Sequence, residues 1–311
     1  PDVDNIGSAA TFTRTSGTIT AAATLFYFPA SSTTAFTLAG VDSSLGATNY
    51  VDIGVATATS PSSVSITGEV TSNSTITVSS LGDINQGASL NANSGSSAIS
   101  MLPNLSVGSS KVYISDNSTL TSSTYTVTGD LTINSGKTLD ANGSTISITG
   151  NTAFSGGTLK TGTNTMTFGD AAGDTVTISS GELQIQSDNT STDIVKNAGT
   201  WTNSGGTITY NAATVISVSL LSSLSPYYNL TINSTGSTYT ANGAIDADAA
   251  LTLTAGTFAL GANTLNVGGN LSIANGSTFT KATGGQAFTF DGTGSLTDSN
   301  TTKQDLGAVT V

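Results

Sequence analysis

Thr138-Leu139-Asp140-Ala141-Asn142-Gly143-Ser144-Thr145-Ile146-Ser147-Ile148-Thr149-Gly150-Asn151 decides the fold, because the chain repeats it. The pattern starts again as Thr158-Leu159-Lys160-Thr161-Gly162-Thr163-Asn164-Thr165-Met166-Thr167-Phe168-Gly169-Asp170. A third copy is Thr257-Phe258-Ala259-Leu260-Gly261-Ala262-Asn263-Thr264-Leu265-Asn266-Val267-Gly268-Gly269-Asn270, close to five further periods along the chain. The period is about 20 residues, and a fixed period of this length marks stacked supersecondary units, none of which can bury its apolar face alone.

Inside each copy the apolar residues alternate with period 2, as in Leu131-Thr132-Ile133, Ile146-Ser147-Ile148, Leu183-Gln184-Ile185 and Leu271-Ser272-Ile273. Gly, Asn and Asp, which tolerate left-handed turn conformations, bound these short runs. Strong helix formers are too sparse for a helical period to develop. The reading is an all-β chain forming a right-handed parallel β-helix, a solenoid, regular from about residue 124 onward. Leu131, Ile133, Ile146, Ile148, Leu265, Val267, Leu271 and Ile273 should face its core. The pairs Gly129-Asp130, Gly150-Asn151, Gly169-Asp170 and Gly269-Asn270 mark one recurring corner. Glycine supplies the backbone angles there, and Asp or Asn can hydrogen-bond from rung to rung.

Residues 1–110 lack this phase. A solenoid has to cover its terminal rung, so they read as an N-terminal β cap or as a small β domain, with 111–311 as the parallel β-helix. Leu220 to Tyr228 interrupts the rungs and carries Pro226, which cannot donate to a ladder, so it reads as a lateral loop.

Composition excludes several classes of function. Charged residues make up 8% of the 311, and the seven Lys and Arg stand one by one against 19 acids, for a net charge of −12. Nucleic acid is therefore not a partner, since binding it requires clustered cations to displace phosphate counterions. The most apolar stretch, Ala21 to Phe28, is far too short to cross a bilayer as a helix. Cysteine is absent, which removes disulfides and thiolate metal sites. The Thr, Ser, Asn and Gly bias suits a secreted or cell-surface protein. No targeting signal precedes Pro1, so any leader peptide lies outside this sequence.

The search for chemistry is short. Histidine is absent and Glu occurs only at Glu69 and Glu182, so general acid–base catalysis would fall to Asp2/Asp4, Asp170/Asp174 or Asp246/Asp248. A β-helix enzyme would place acids on neighbouring rungs. Asp170 and Asp188 come closest, yet no Lys or Arg recurs in phase with them. These acids read as solvated turn residues, and the chain as no enzyme, with no cofactor and no metal site. No calcium-loop pattern occurs, and Asp2-Val3-Asp4-Asn5 and Asp246-Ala247-Asp248 could at most contribute to a weak oxygen site for calcium. Thr-x-Thr steps such as Thr126/Thr128 and Thr165/Thr167 could order water if they shared a rung position, but the residue between them varies. Asn-x-Ser/Thr sequons occur no more often than this composition produces by chance. Trp201 is the only tryptophan, and Tyr227-Tyr228 the only adjacent tyrosine pair, which is little for a sugar-stacking platform.

The stretches Tyr228-Asn229-Leu230-Thr231-Ile232-Asn233, Leu251-Thr252-Leu253-Thr254-Ala255-Gly256-Thr257-Phe258, Val267-Gly268-Gly269-Asn270-Leu271-Ser272-Ile273 and Phe290-Asp291-Gly292-Thr293-Gly294-Ser295 carry a resemblance. Over roughly 124–311 the chain resembles the β-helical repeat regions of very large bacterial surface proteins and of adhesin and autotransporter stalks. That resemblance implies a structural role at the cell surface without a cofactor. The leading expectation is an extracellular subunit of a filament, sheath or surface layer that self-associates into a polymer through β-strand edges. An adhesin stalk binding glycans or another cell is the alternative, and a polysaccharide-active enzyme is third. The segment Asp305-Leu306-Gly307-Ala308-Val309-Thr310-Val311 is strand-like and has no Lys or Pro to blunt it. Either a longer solenoid continues from it, or it pairs with another copy, head to tail with Leu25 to Phe28 and Phe36.

Overall fold

The computed structural model describes residues 11–12, 35–43, 51–53, 63–72, 76–80, 83–92, 98–103, 111–212, 214–281 and 287–311. The chain forms two compact units, Pro1–Val176 with Lys196–Thr200, and Thr177–Val195 with Trp201–Val311. Both are parallel β-solenoid.

In the first unit each regular rung contributes three strands. One wall stacks Thr124–Val127 on Thr145–Ile148 on Met166–Phe168, with Tyr125 over Ile146 and Ile146 over Met166. A second places Val112, Leu131 and Thr152 in one column and Ile114, Ile133 and Phe154 in the next. The third aligns Ser118, Leu139 and Leu159. Period-2 alternation turns one side chain of each pair inward, so Leu131, Ile133, Ile146 and Ile148 are buried, as are Leu265, Val267, Leu271 and Ile273 in the second unit. Burying an aliphatic side chain of this size contributes about 1.5–3 kcal/mol. Every rung therefore adds to a narrow continuous core.

Parallel pairing is not confined to the regular stretch. Ala35–Ser43 pairs with Ser63–Ser72, which pairs in turn with Ile84–Gln86 and Leu90–Ala92; Ile76–Ser79 pairs with Ala98–Leu102. The regular phase is lost there because the turns vary in length. Val64 stacks on Ile84, one ordinary period further on, whereas Ile84 stacks on Val112 and Leu90 on Leu120, both well past that spacing. Strand register is kept by the core, while a turn on the surface can lengthen at little cost.

The second unit is threaded by one aliphatic column: Leu183, Ile208, Leu230, Leu251, Leu271 and Leu296 follow one another on successive rungs. Its long strands Tyr227–Ala241 and Ile245–Gly261 run through corners, and their mutual register shifts beyond Ile232. An aromatic column, Tyr239 on Phe258 on Phe279, fills another wall, with the two phenylalanine rings edge to face at 5.5 Å.

Leu220 to Tyr228 differs from its reading as a lateral loop. Ser217–Leu220 pairs in register with Thr238–Ala241, and Leu220, Leu221, Leu224 and Tyr227 are all buried. The segment turns through a short 3-10 helix, Ser222–Leu224, inside its rung. Pro226 immediately precedes the strand Tyr227–Ala241, where its missing N–H interrupts no ladder. Every described strand pairing between 130 and 170 is parallel.

Candidate functional site

The recurring corner is where the sequence signal and the structure meet most closely. In the first unit Gly129 turns it at φ 128°, and the next residue starts a side-chain ladder. Asp130 Oδ1 accepts from the Asn151 backbone N–H at 2.9 Å and from Asn151 Nδ2 at 3.0 Å. Asn151 Oδ1 then accepts from the Thr175 N–H at 2.8 Å and its hydroxyl at 2.9 Å. Two rungs before Asp130, Asp83 Oδ1 accepts from the Lys111 N–H at 2.9 Å. Each of these polar side chains occupies a backbone donor on the following rung, the role suggested for Gly129-Asp130 and Gly150-Asn151; Gly169-Asp170 departs from it, since Asp170 enters a local turn with Asp174 and Thr175 meets Asn151 instead. Asn270 repeats it in the second unit, its Oδ1 accepting from the Ser295 N–H and hydroxyl, both at 3.0 Å.

Charge follows the same axis in the first unit. Lys137 Nζ donates to Asp116 Oδ1 at 2.9 Å, and Lys160 Nζ to Asp140 Oδ2 at 3.2 Å, each between neighbouring rungs. The hydrogen bond from Lys137, with one from the Asn117 N–H, holds the Asp116 carboxyl below the usual carboxylate range.

The interior also contains polar groups that sequence reading missed. In the first unit Tyr125 donates to Gln86 Oε1 at 2.7 Å, Gln86 Nε2 donates to the Ser118 hydroxyl at 2.6 Å, and Ser118 donates to the Ala88 carbonyl at 2.7 Å. In the second, Tyr210 and Tyr227 share a hydrogen bond at 2.9 Å, Tyr227 also donates to the Leu221 carbonyl at 2.5 Å, and the Leu221 N–H donates to Tyr210 at 3.0 Å. Burial pushes the Tyr125, Tyr210 and Tyr227 phenols far above their ordinary range. They serve as neutral spacers whose hydroxyls satisfy buried amides and carbonyls. The alternation Thr124-Tyr125-Thr126 and Ile208-Thr209-Tyr210 was the available signal for inward tyrosines.

The candidate acids are not assembled into a reaction centre among the described residues. Asp174 Oδ2 accepts from the Asp170 and Ala171 N–H groups at 2.9 and 2.8 Å, so this pair closes a turn. Asp188 is exposed beside the one-turn helix Thr190–Asp193. Glu182 is tied down by Gln184 Nε2 at 2.8 Å and by the Thr209 hydroxyl. Asp246 has its carboxyl raised above the ordinary range by partial burial and then by the charges of Asp248 and Asp291. No cluster of three or more His, Cys, Asp or Glu suited to a metal occurs among the described residues. Glu69 falls in the strand Ser63–Ser72, and Asp2 and Asp4 lie outside the described residues, as do Leu25 to Phe28. No described helix is long and apolar enough to cross a membrane.

The steps Thr126/Thr128 and Thr165/Thr167 do not coincide: Thr126 shares its column with Thr167, and serines stand in that column on the rungs between and before. Ser100, Thr126, Ser147 and Thr167 stack in one outward column, and Thr124 stacks on Thr145 beside it. The variable residues between them, Tyr125, Ile146 and Met166, point inward, so their variation says nothing about this face.

At the far rung of the second unit the aliphatic columns come into the open. Leu296 continues the Leu251–Leu271 column and is 48% exposed; Val309 continues Leu265–Phe288 and is 39% exposed. Between these strands the edge of Thr278–Lys281 is covered by side chains. Gln304 Oε1 accepts from the Phe279 N–H at 3.1 Å, and Asn300 spans the corner, accepting from the Gly276 N–H at 2.8 Å and donating to the Ser277 carbonyl at 3.1 Å. Asp298 pins this covering segment by accepting from the N–H groups of Gln304 and Asn300, and these bonds hold its carboxyl below the usual range.

Comparison with protein-family models, curated proteins and solved structures gives no match. The fold itself defines the class: a parallel β-solenoid protein whose polar side chains are spent mainly on joining rung to rung.

Proposed function

We propose that this is a structural protein of the cell exterior, a subunit of a filament, sheath or surface layer that assembles through β-strand edges. Its winding is right-handed, the hand that twisted strands favour in parallel crossovers. The observation that carries this reading is the unbroken parallel stacking of rung on rung, Leu183 to Ile208, Leu230, Leu251, Leu271 and Leu296, in which an added rung meets ready-made partners. A copy pairing with the strands of Leu296 and Val309 would add head to tail, a heterologous contact that builds open fibres. The engagement of Asp174 and Glu182 in local hydrogen bonds supports a role without turnover of polysaccharide.

Sedimentation velocity across a concentration series, with electron microscopy of the same samples, tests the reading. The chain should form linear assemblies, and a Leu296→Lys/Val309→Lys variant should remain monomeric with an unchanged far-UV spectrum. A strictly monomeric chain at high concentration, or assembly unaffected by the two lysines, overturns it.

A further inference from the structure

At the far rung of the second unit two walls are continued by strands and the third is not. Leu296–Asp298 pairs with Asn270–Ile273, and Val309–Thr310 with Phe288–Phe290. The third wall runs strand on strand only as far as Thr278–Lys281, through the columns Thr238, Thr257, Thr278 and Tyr239, Phe258, Phe279. Residues 299–308 follow without forming a strand.

Side-chain amides take the place of that strand. Gln304 Oε1 accepts from the Phe279 N–H at 3.1 Å, a backbone donor on the edge. Asn300 accepts from the Gly276 N–H at 2.8 Å and donates to the Ser277 carbonyl at 3.1 Å, so one side chain meets a donor and an acceptor as a peptide group would. Asn300 and Leu306 are both buried, which seats the segment against the rung below it. Covering a strand edge in this way is a common guard against pairing with another chain.

The cover is fastened from one point. The Asp298 carboxylate, at the end of the strand paired with Asn270–Ile273, accepts from the Gln304 N–H at 2.6 Å, and from the Asn300 N–H and Asn300 Nδ2 at 2.9 Å each. Lys303 Nζ adds a bond to the Asn300 carbonyl at 2.8 Å. Both amides that cover the edge therefore hang on Asp298. We propose that residues 299–305 are an autoinhibitory strap, which occupies the Thr278–Lys281 edge and must be displaced before a second copy can continue the third wall. A second copy is the fitting occupant, because the flanking strands carry the Leu251–Leu271–Leu296 and Leu265–Phe288–Val309 columns of this chain's own rungs. The inference rests on assembly through β-strand edges and names what slows it.

Hydrogen exchange and light scattering on the full chain test the strap and the assembly separately. Asp298→Asn puts an amide NH2 where one carboxylate oxygen accepts, so part of the fastening is lost. The Phe279 and Gly276 N–H groups should then exchange about tenfold faster or more, with the Phe258 N–H unchanged, and the lag before assembly should shorten several-fold. Gln304→Ala should expose the Phe279 N–H and leave the Gly276 N–H protected by Asn300. Unchanged exchange at Phe279 in both variants overturns the strap, and so does equal acceleration at Phe258, which would mean a loosened rung stack. Faster exchange with assembly at the wild-type rate overturns its inhibitory role alone. Faster exchange with no assembly of wild type or variant at any concentration overturns the assembly reading, and the inhibitory role with it.

Discussion

The two units reach one architecture by different means. The first holds its rungs in register with polar ladders on the outside: Asp83 to Lys111, and Asp130 to Asn151 to Thr175. The ion pairs Lys111–Asp130, Lys137–Asp116 and Lys160–Asp140 belong to it as well. The second relies on an interior aromatic column, Tyr239, Phe258 and Phe279, with Tyr210 and Tyr227 bridging the buried backbone. The difference does not follow rung length. The aromatic column steps by one regular period, Tyr239 to Phe258 to Phe279, whereas the first unit's ladder includes the long step from Asp83 to Lys111.

Core truncation should strain this contrast most. Phe258→Ala removes a fully buried ring from the aromatic column and should destabilise the protein by about 3–5 kcal/mol, against about 2–4 kcal/mol for Leu139→Ala in the first unit. Urea unfolding gives the totals, and hydrogen exchange should place each loss on the rungs flanking the substitution. Equal and chain-wide losses would refute the separation.

Removing single hydroxyls comes next. Tyr227→Phe strips a partner from both the Leu221 carbonyl and Tyr210, whereas Tyr125→Phe strips only Gln86 Oε1. Both should fall in the range of about 1–3 kcal/mol, with Tyr227→Phe the larger. The reverse order in denaturant midpoints at constant slope would show that the second unit does not depend on its tyrosines.

The polar ladder can be probed on both sides. Asn151→Ala loses bonds toward the rungs before and after it and should cost about 1–2 kcal/mol, while Asn270→Ala loses only its bonds to Ser295 and should cost about half as much. Matching losses would mean that ladder length is irrelevant.

The smallest effect is a difference in pH response. Asp116 titrates below its ordinary value in the folded chain, so its contribution is present above the unfolded pKa and is lost as pH falls through the folded one. Asp246 titrates above its ordinary value, so the folded chain binds that proton more tightly and loses stability as pH rises between the unfolded and folded values. Carboxyl titration by NMR should show Asp116 moving up toward about 3.9 in Lys137→Met and Asp246 moving down in Asp248→Asn. No movement in either would remove the electrostatic part of the contrast.

Much of this was legible in the residues. Leu131, Ile133, Ile146 and Ile148 announce themselves by combining period 2 with the rung period, because strand pleat and rung length are both fixed by the core. The Gly150-Asn151 corner was readable for the same reason. Leu220 to Tyr228 was not, since a cluster of Leu and Tyr around a proline looks like an insertion until Leu224 and Tyr227 are seen to be core residues. Residues 63–102 concealed their parallel pairing because a stack such as Leu90 on Leu120 preserves register without preserving spacing.

The in-register stacking of Leu139 on Leu159, and of Ile146 on Met166, has a consequence for the gene. A rung here touches little beyond the rung before it and the rung after it, so a tandem duplication of its coding sequence adds a layer whose contacts already exist. Length becomes the property that mutation changes most cheaply, while sequence within the layer stays under the tight steric control of Gly157, whose Cβ would collide with the Asn134 carbonyl and the Ile133 side chain. Lineages carrying this chain should therefore differ by whole layers before they differ at the corners, a bias that recombination between similar repeats would reinforce.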